Sequence, residues 1–449
     1  NGNMVHNAAS IFNQSGGDIL VDGNEGGVAA NSVASGVAIV QLNSQFINWT
    51  GGALTILDPH ANTTASNTLA FNNSTAHVNV PNTHTLKLGD GVSTDAGGNA
   101  TNGFRLSTFV GSRRISFGNL EVNTTGGTNR QVTTASNIGF NGNVTIEPSS
   151  EVVFGTSYVA GNIVNNGTFT STAVLGLASY TDGTVSATTN AQTIGGSGVY
   201  RNLAAAPTAN LTSLTVNNTN ATGVTLSVPL SVSGTLTMTS GIINTTTTNL
   251  LTLGTATAAG ILAGTPSATN MVRGPFARTI ANANANTNYL LFPVGKTTYA
   301  PIWAAPATTA VSVMKAETFD TNTGTQSAAI ANMATNRRWE LPLVSGTITN
   351  INVRLGDAGV LATSIPVQAP SASGEYTSTF GSVATAVAGV STQSNTPVLS
   401  ASYTGFLSYA DSNACVGVPT PGNTIASSNA ICLGTSVTLS LQNLTTGSG

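Results

Sequence analysis

The stretch Gly223–Gly254, GVTLSVPLSVSGTLTMTSGIINTTTTNLLTLG, limits the fold more than any other part of the chain. Val224, Leu226, Val228, Leu230, Val232, Gly234, Leu236, Met238 and Ile242 fall on even positions, and most odd positions between them are Thr or Ser. A period of two sends alternate side chains to opposite faces of a strand, one dry and one wet. No helix can use that pattern. Gly234 and Gly241 interrupt the run where a corner is needed, and the run then restarts.

The texture recurs from Asn1 to about Thr265. Short apolar segments such as Ala53–Leu57, Thr85–Leu88, Asn143–Ile146 and Val152–Phe154 are separated by Gly, Asn and Asp turns. Apolar segments near Val224, Leu236, Leu250 and Ile261 follow one another at roughly 11–15 residues, the spacing of stacked structural units. A sandwich and a solenoid both suit many short strands. Sandwich strands usually meet in tight hairpins, whereas these corners are single Gly or Asn residues with no obvious reversal. The expected fold is therefore all-β: a right-handed parallel β-helix over residues 1–265. Its open end needs a cover, because unpaired edges invite aggregation.

Composition supports a chain whose surface is polar but uncharged. Apolar residues make up 40% of the 449, and charged residues only 6%, far below the roughly 25% of ordinary globular proteins. Thr, Ser and Asn must then clothe the exterior, and these residues favour strands and turns. The 13 Lys and Arg are scattered, with Arg113-Arg114 and Arg337-Arg338 the only doublets. That excludes an electrostatic track along nucleic acid. No apolar run approaches the length of a membrane-spanning helix, about 18 residues or more, so no membrane insertion is expected. The first residue is Asn1, which points to processing or to a piece of a longer chain.

Two further textures follow. Residues 266–412 are richer in aromatics and proline, with strands expected at Val311–Ala316, Arg338–Pro342, Thr347–Leu355 and Tyr403–Tyr409; this is a β-sandwich of about 140 residues, an ordinary domain size. Residues 413–449 hold a Pro/Gly connector and an expected strand at Ser436–Leu441, about 35 residues where a full immunoglobulin-like domain needs about 100. Cys415 and Cys432 are the only cysteines. They are candidates for a disulfide in an oxidising, extracellular setting, with connectivity left open.

Three strings carry a resemblance. AQTIGGSGVYRNL (Ala191–Leu203) with the Gly223 run resembles the β-helical part of very large secreted surface proteins of Bacteroidota. YLLFPVGKTTYAPI (Tyr289–Ile302) and NRRWELP (Asn336–Pro342) resemble the module that follows it. The two Cys-x-Gly patterns between Cys415 and Leu441 resemble the start of their immunoglobulin-like repeats. The resemblance implies export by the type IX secretion system, display at the cell surface, and adhesion, gliding or filament formation rather than catalysis. It also implies extracellular surfaces or glycans, the secretion machinery and further copies of the chain as partners. Arg338 stands where that family usually has an aromatic before the Trp.

Chemistry is sparse. FPVGKTT lacks the Gly of a phosphate loop, since Leu290 stands where it is required. A polysaccharide-degrading enzyme would need clustered carboxylates. The nearest groupings are Asp18, Asp22 and Glu25; Asp90 and Asp95; and Glu147 and Glu151, all in turn-rich segments. Asp22–Gly27 and Asp320–Gly324 share the alternating oxygens of a calcium loop but lack most of its ligands, and ordinary Asx turns explain them. His6, His60, His77 and His84 are too dispersed for zinc. No catalytic residue, metal site or cofactor is expected. Among the tryptophans, Trp303 and Trp339 are assigned to the second module's core. Trp49, in FINWTGG, is the exposed candidate for stacking on a sugar ring.

Overall fold

The computed structural model describes residues 4–6, 11–22, 40–43, 46–57, 68–71, 80–92, 103–106, 109–110, 113–114, 116–124, 131–134, 137–181, 183–202, 210–380, 385–387, 391–412, 424–426 and 439–441. They fall into two compact units, Asn1–Thr279 and Ile280–Gly449.

The first unit is a parallel β-helix. One turn shows the plan. The chain runs through Val144–Ile146, Glu151–Phe154 and Ser157–Val159, then begins the next turn at Ile163–Asn165. Each of these strands pairs in parallel with its counterpart one turn on: Val144 with Ile163, Glu151 with Thr168, and Ser157 with Leu175. Three sheets result, each adding one strand per turn in chain order. The first threads Ile11–Val21, Phe46–Ile56, His84–Leu88 and Asn119–Val122, and continues through to Ile243–Asn244 and Val272–Arg273. Parallel pairing also continues past residue 265, with Leu251–Leu253 joined to Phe276–Arg278, because Val272 and Phe276 supply the apolar residues of one more turn.

The first part of the Gly223 run, Val224–Ser240, is one turn, and Ile243–Asn244 and Leu251–Leu253 belong to the next. Val224–Leu226, Leu230–Val232 and Thr235–Ser240 each lie in a different sheet. Val224, Leu226, Leu230, Val232, Leu236 and Met238 are buried. Gly241 turns the next corner at φ 103°, and a Cβ there would lie 2.1 Å from the Asn218 carbonyl oxygen. Gly196 turns a different corner, between Gln192–Gly195 and Val199–Asn202, at φ 103° and 2.0 Å from the Asn165 carbonyl. Only glycine combines that backbone conformation with so close an approach.

Two devices run along the stack. Inside, aromatic rings follow one another along the stack: Trp49 to Phe71 at 6.3 Å, Phe71 to Phe117 at 6.0 Å, Phe117 to Phe140 at 6.2 Å, Phe140 to Phe154 at 5.6 Å, Phe154 to Phe169 at 5.8 Å and Phe169 to Tyr200 at 5.8 Å. These separations lie within the range of favourable ring pairs. Outside, a corner carries an asparagine ladder. Asn143 N–H donates to Asn119 Oδ1 at 2.9 Å, Asn162 N–H to Asn143 Oδ1 at 2.8 Å, and Thr193 N–H to Asn162 Oδ1 at 2.8 Å. Each side-chain amide satisfies a backbone donor of the following turn, so polar groups at the corners are paired without charge.

The second unit is mainly antiparallel, with Thr325–Gln326 and Glu375–Tyr376 a parallel pair. One of its sheets sets Ser312–Phe319 beside Arg338–Glu340, and Arg338–Glu340 beside Phe406–Ser412, which also pairs with Ser364–Ala369. Another sets Ile302–Thr308 between Leu290–Phe292 and Ile348–Gly356, with Ser391–Gln393 beyond. Phe292, Ile302, Met314, Trp339, Val353 and Val367 are fully buried. Of residues 413–449, Thr424–Ala426 and Leu439–Leu441 form an antiparallel pair. Cys415 and Cys432, and with them the disulfide assignment, lie outside the described residues.

Candidate functional site

Trp49 does not present a sugar-binding face. It is 1% exposed, since Ile47 and Trp49 share the strand face that points into the helix while Asn48 and Thr50 point out. Its indole stacks on the His84 imidazole at 4.6 Å and 5°. His84 is itself fully buried. Gln14 fixes its tautomer: the Gln14 amide nitrogen donates to Ala53 O at 2.7 Å and Gly17 O at 3.1 Å, so Gln14 Oε1 must accept from His84 Nε2 at 3.1 Å. Nδ1 therefore carries no proton and has no hydrogen-bond partner among the described residues.

Burial pushes the His84 imidazole down to about 4. Between that value and its ordinary value near 6.5 the unfolded chain holds the proton and the folded chain does not. The His84 contribution to the first unit's stability is thus complete above about pH 6.5 and is lost through this window, by up to about 3 kcal/mol. Urea unfolding at pH 7.5 and 4.5 should show that loss in wild type and not in His84→Phe.

The two strings of the second module meet in a buried charge cluster. Arg337, 5% exposed, reaches Asp357 Oδ2 from Nε at 3.2 Å, pairs with Asp320 through Nη1, and donates to Thr298 Oγ1 from Nη2 at 2.7 Å. Tyr409 donates its hydroxyl to Asp357 Oδ2 at 3.2 Å. Burial alone would raise the Asp320 carboxyl, but the Thr297 hydrogen bonds and the Arg337 guanidinium outweigh it and hold Asp320 below the usual range. Burial, then the Asp357 charge, lifts the Tyr409 phenol to about 12, so it stays a donor. Every carboxylate here faces a donor or a cation, which makes the cluster a structural pin joining the Lys296 loop to the Arg337 strand. Beside it, Arg338 lays its guanidinium 3.9 Å from the Phe319 ring centroid and bonds Glu340 at 3.0 Å. A planar cation thus occupies the place expected for an aromatic.

Trp339 is core, fully buried, with Nε1 donating to Ala300 O at 2.7 Å. Trp303 is not. Its strand neighbours Ile302 and Ala304 point inward, and Trp303 stands half-buried on the other face. Directly across the sheet lies Arg354, and across from Arg354 lies Gln393. The guanidinium sits 5.7 Å from the Trp303 centroid and 5.1 Å from that of Tyr289. Gln393 Oε1 accepts from Arg354 Nε at 2.8 Å and from its Nη2. Burial raises the Tyr289 phenol against the opposing pull of Ser394 and Arg354.

The chain matches no family model, no curated protein and no solved structure.

Several of the other sequence candidates are drawn into local contacts. Glu151 takes the Thr170 hydroxyl at 2.9 Å and pairs with Arg201 on the shaft wall. Asp90 caps a turn through Val92 N–H at 2.8 Å, and Asn322 does so through Gly324 N–H at 3.1 Å, an Asx turn in the loop that resembles a calcium site. His6 meets Phe12 edge-on at 5.2 Å. Glu25, His60, His77 and Asp95 lie outside the described residues. Among the described residues no three His, Cys, Asp or Glu side chains gather as metal ligands, and no helix is long and apolar enough to cross a membrane. A groove of about 490 Å³ lies along the shaft between Asn218–Ala221 and Ala268–Thr269. Its polar lining is engaged internally: Asn218 Nδ2 bonds Gln192 Oε1 at 2.8 Å, and Asn220 Nδ2 bonds Thr189 O at 2.7 Å.

Proposed function

We propose that this chain is a non-enzymatic extracellular protein of the cell surface, exported by the type IX system, and that it serves as an adhesin or surface-fibre component. The observation that carries this reading is the uncharged rung-to-rung bonding of the β-helix, in which Asn119, Asn143 and Asn162 tie successive turns through side-chain amides. Such a stack extends reach by repetition and holds each turn only to its neighbours. Its cohesion owes little to ion pairs, so it is insensitive to the salt of an external medium. The resemblance of the Gly223, Tyr289 and Asn336 strings to secreted surface proteins agrees with it.

Antibody raised against the first unit should label intact, unpermeabilised cells, and deletion of the coding sequence should reduce attachment to surfaces. Labelling that requires permeabilisation would defeat the proposal. Micrographs showing a regular lattice of this chain, in place of isolated projections, would shift the role from adhesin to self-assembling filament.

A further inference from the structure

Arg354 differs from the other well-placed arginines of the chain. Arg201, Arg337 and Arg338 each face a carboxylate, from Glu151, from Asp320 and Asp357, and from Glu340 respectively. Arg354 is half-buried beside two aromatic rings and oriented by Gln393, and no carboxylate completes it among the described residues. Removing part of a guanidinium's hydration without giving it a counter-ion is unfavourable. Fixing its plane with a glutamine oxygen leaves its full positive charge in place, aimed along a sheet face that also carries an indole.

The indole has room to lie there. Gly356 sits on the same strand face as Arg354, and a Cβ at that position would come within 3.0 Å of Trp303 Cζ3. Asn352, on the same face, is held by Ser394 at 3.0 Å and donates to Asn286 O at 2.9 Å, which stiffens the surroundings. An aromatic surface beside an unneutralised, pre-oriented guanidinium suits a ligand with an apolar face and a carboxylate at its edge. A pyranose ring bearing a carboxylate has both: its axial C–H groups stack on an aromatic ring, and its carboxylate takes a guanidinium through charge-assisted hydrogen bonds.

We infer that the outer face of this sheet binds a carboxylated sugar unit of an extracellular polysaccharide, with the sugar ring on Trp303 and the carboxylate on Arg354. The inference rests on the surface reading above and names the chemistry that surface would recognise. Tyr289 flanks the guanidinium, and Gln393 is a positioning residue acting through Arg354.

Fluorescence titration of the full chain tests it directly. Trp49 and Trp339 are buried, so quenching by an added sugar reports chiefly on Trp303. Oligogalacturonate should quench and bind, with affinity falling as salt is raised, while a neutral cello-oligosaccharide of the same length should bind at least about tenfold more weakly. Arg354→Gln should weaken oligogalacturonate binding about tenfold and leave the neutral sugar unchanged. Trp303→Ala should remove the quenching, and calorimetry should show weaker binding of both sugars. Arg354→Lys, which keeps the charge and loses the planar fork, should fall between wild type and Arg354→Gln, and unchanged melting curves exclude misfolding. Equal affinity for the charged and neutral sugars, or an Arg354→Gln variant that binds like wild type, would overturn the inference. Because the titration uses purified protein, its failure leaves the cell-labelling result standing, and an internal location would leave the binding result standing.

Discussion

Replacing Phe140 by alanine is expected to lower the unfolding free energy of the first unit by about 3–5 kcal/mol, the usual cost of deleting a buried aromatic ring. Phe140 is 1% exposed and lies in the middle of the internal row, 6.2 Å from Phe117 and 5.6 Å from Phe154. Its loss removes two ring contacts and leaves a cavity between turns. The neighbouring turns cannot collapse into it, because their backbones are held at fixed spacing by parallel pairing on both sides of the strand Ile138–Phe140. In a stack where each turn touches only its neighbours the damage stays local. Hydrogen exchange should therefore accelerate in Asn119–Val122, Val144–Ile146 and Ile163–Asn165 while Leu251–Leu253 keeps its protection. Phe140→Leu, which refills most of the space, should lose no more than about 1.5 kcal/mol. A loss below about 1 kcal/mol for Phe140→Ala in denaturant melts would show that the aromatic row is incidental to the stack.

The stacked fold was legible because of one feature of the Gly223 run. From Val224 to Met238 the apolar residues keep to even positions across two corners: Leu226 to Leu230 and Val232 to Leu236 are both even steps, so the dry face is kept while the chain changes sheet, and the parity shifts only at Gly241. The same continuity hid the three-sheet plan, since nothing in the alternation marks where one strand stops and the next begins. Trp49 reads as the exposed candidate in FINWTGG although the stretch holds a signal against it: Ile47, two positions earlier, has the same parity and points inward. Trp303 erred the other way. In Pro301–Ala307 both strand faces are apolar, so parity cannot separate Ile302 and Ala304, which are buried, from Trp303, which is not. The platform around it joins residues from three strands far apart in sequence, and the Arg337 pin likewise gathers Thr298, Asp320, Asp357 and Tyr409. Contacts of that kind follow from sheet order, which no local pattern contains.

Arg337→Met should cost the second unit about 3–5 kcal/mol, because it removes one partner of a buried ion pair and leaves the other uncompensated. The Asp357 side chain is 8% exposed, so water cannot replace the guanidinium, and the Tyr409 hydroxyl alone remains to meet it. The loss should depend on pH. In wild type Asp320 is held below the usual carboxylate range by Thr297 and Arg337. Its contribution is complete above its unfolded value and is lost as pH falls through its folded value. Without Arg337 that contribution shrinks, so the gap between variant and wild type should narrow toward acid in urea melts at pH 7 and at about pH 2.5. Arg337→Met combined with Asp357→Asn keeps an acceptor for Tyr409 while removing the buried charge, and should recover at least about half of the loss. A single variant as stable as wild type at pH 7, or a gap that ignores pH, would mean that the cluster is solvated and that something other than this pin holds the Lys296 loop to the Arg337 strand.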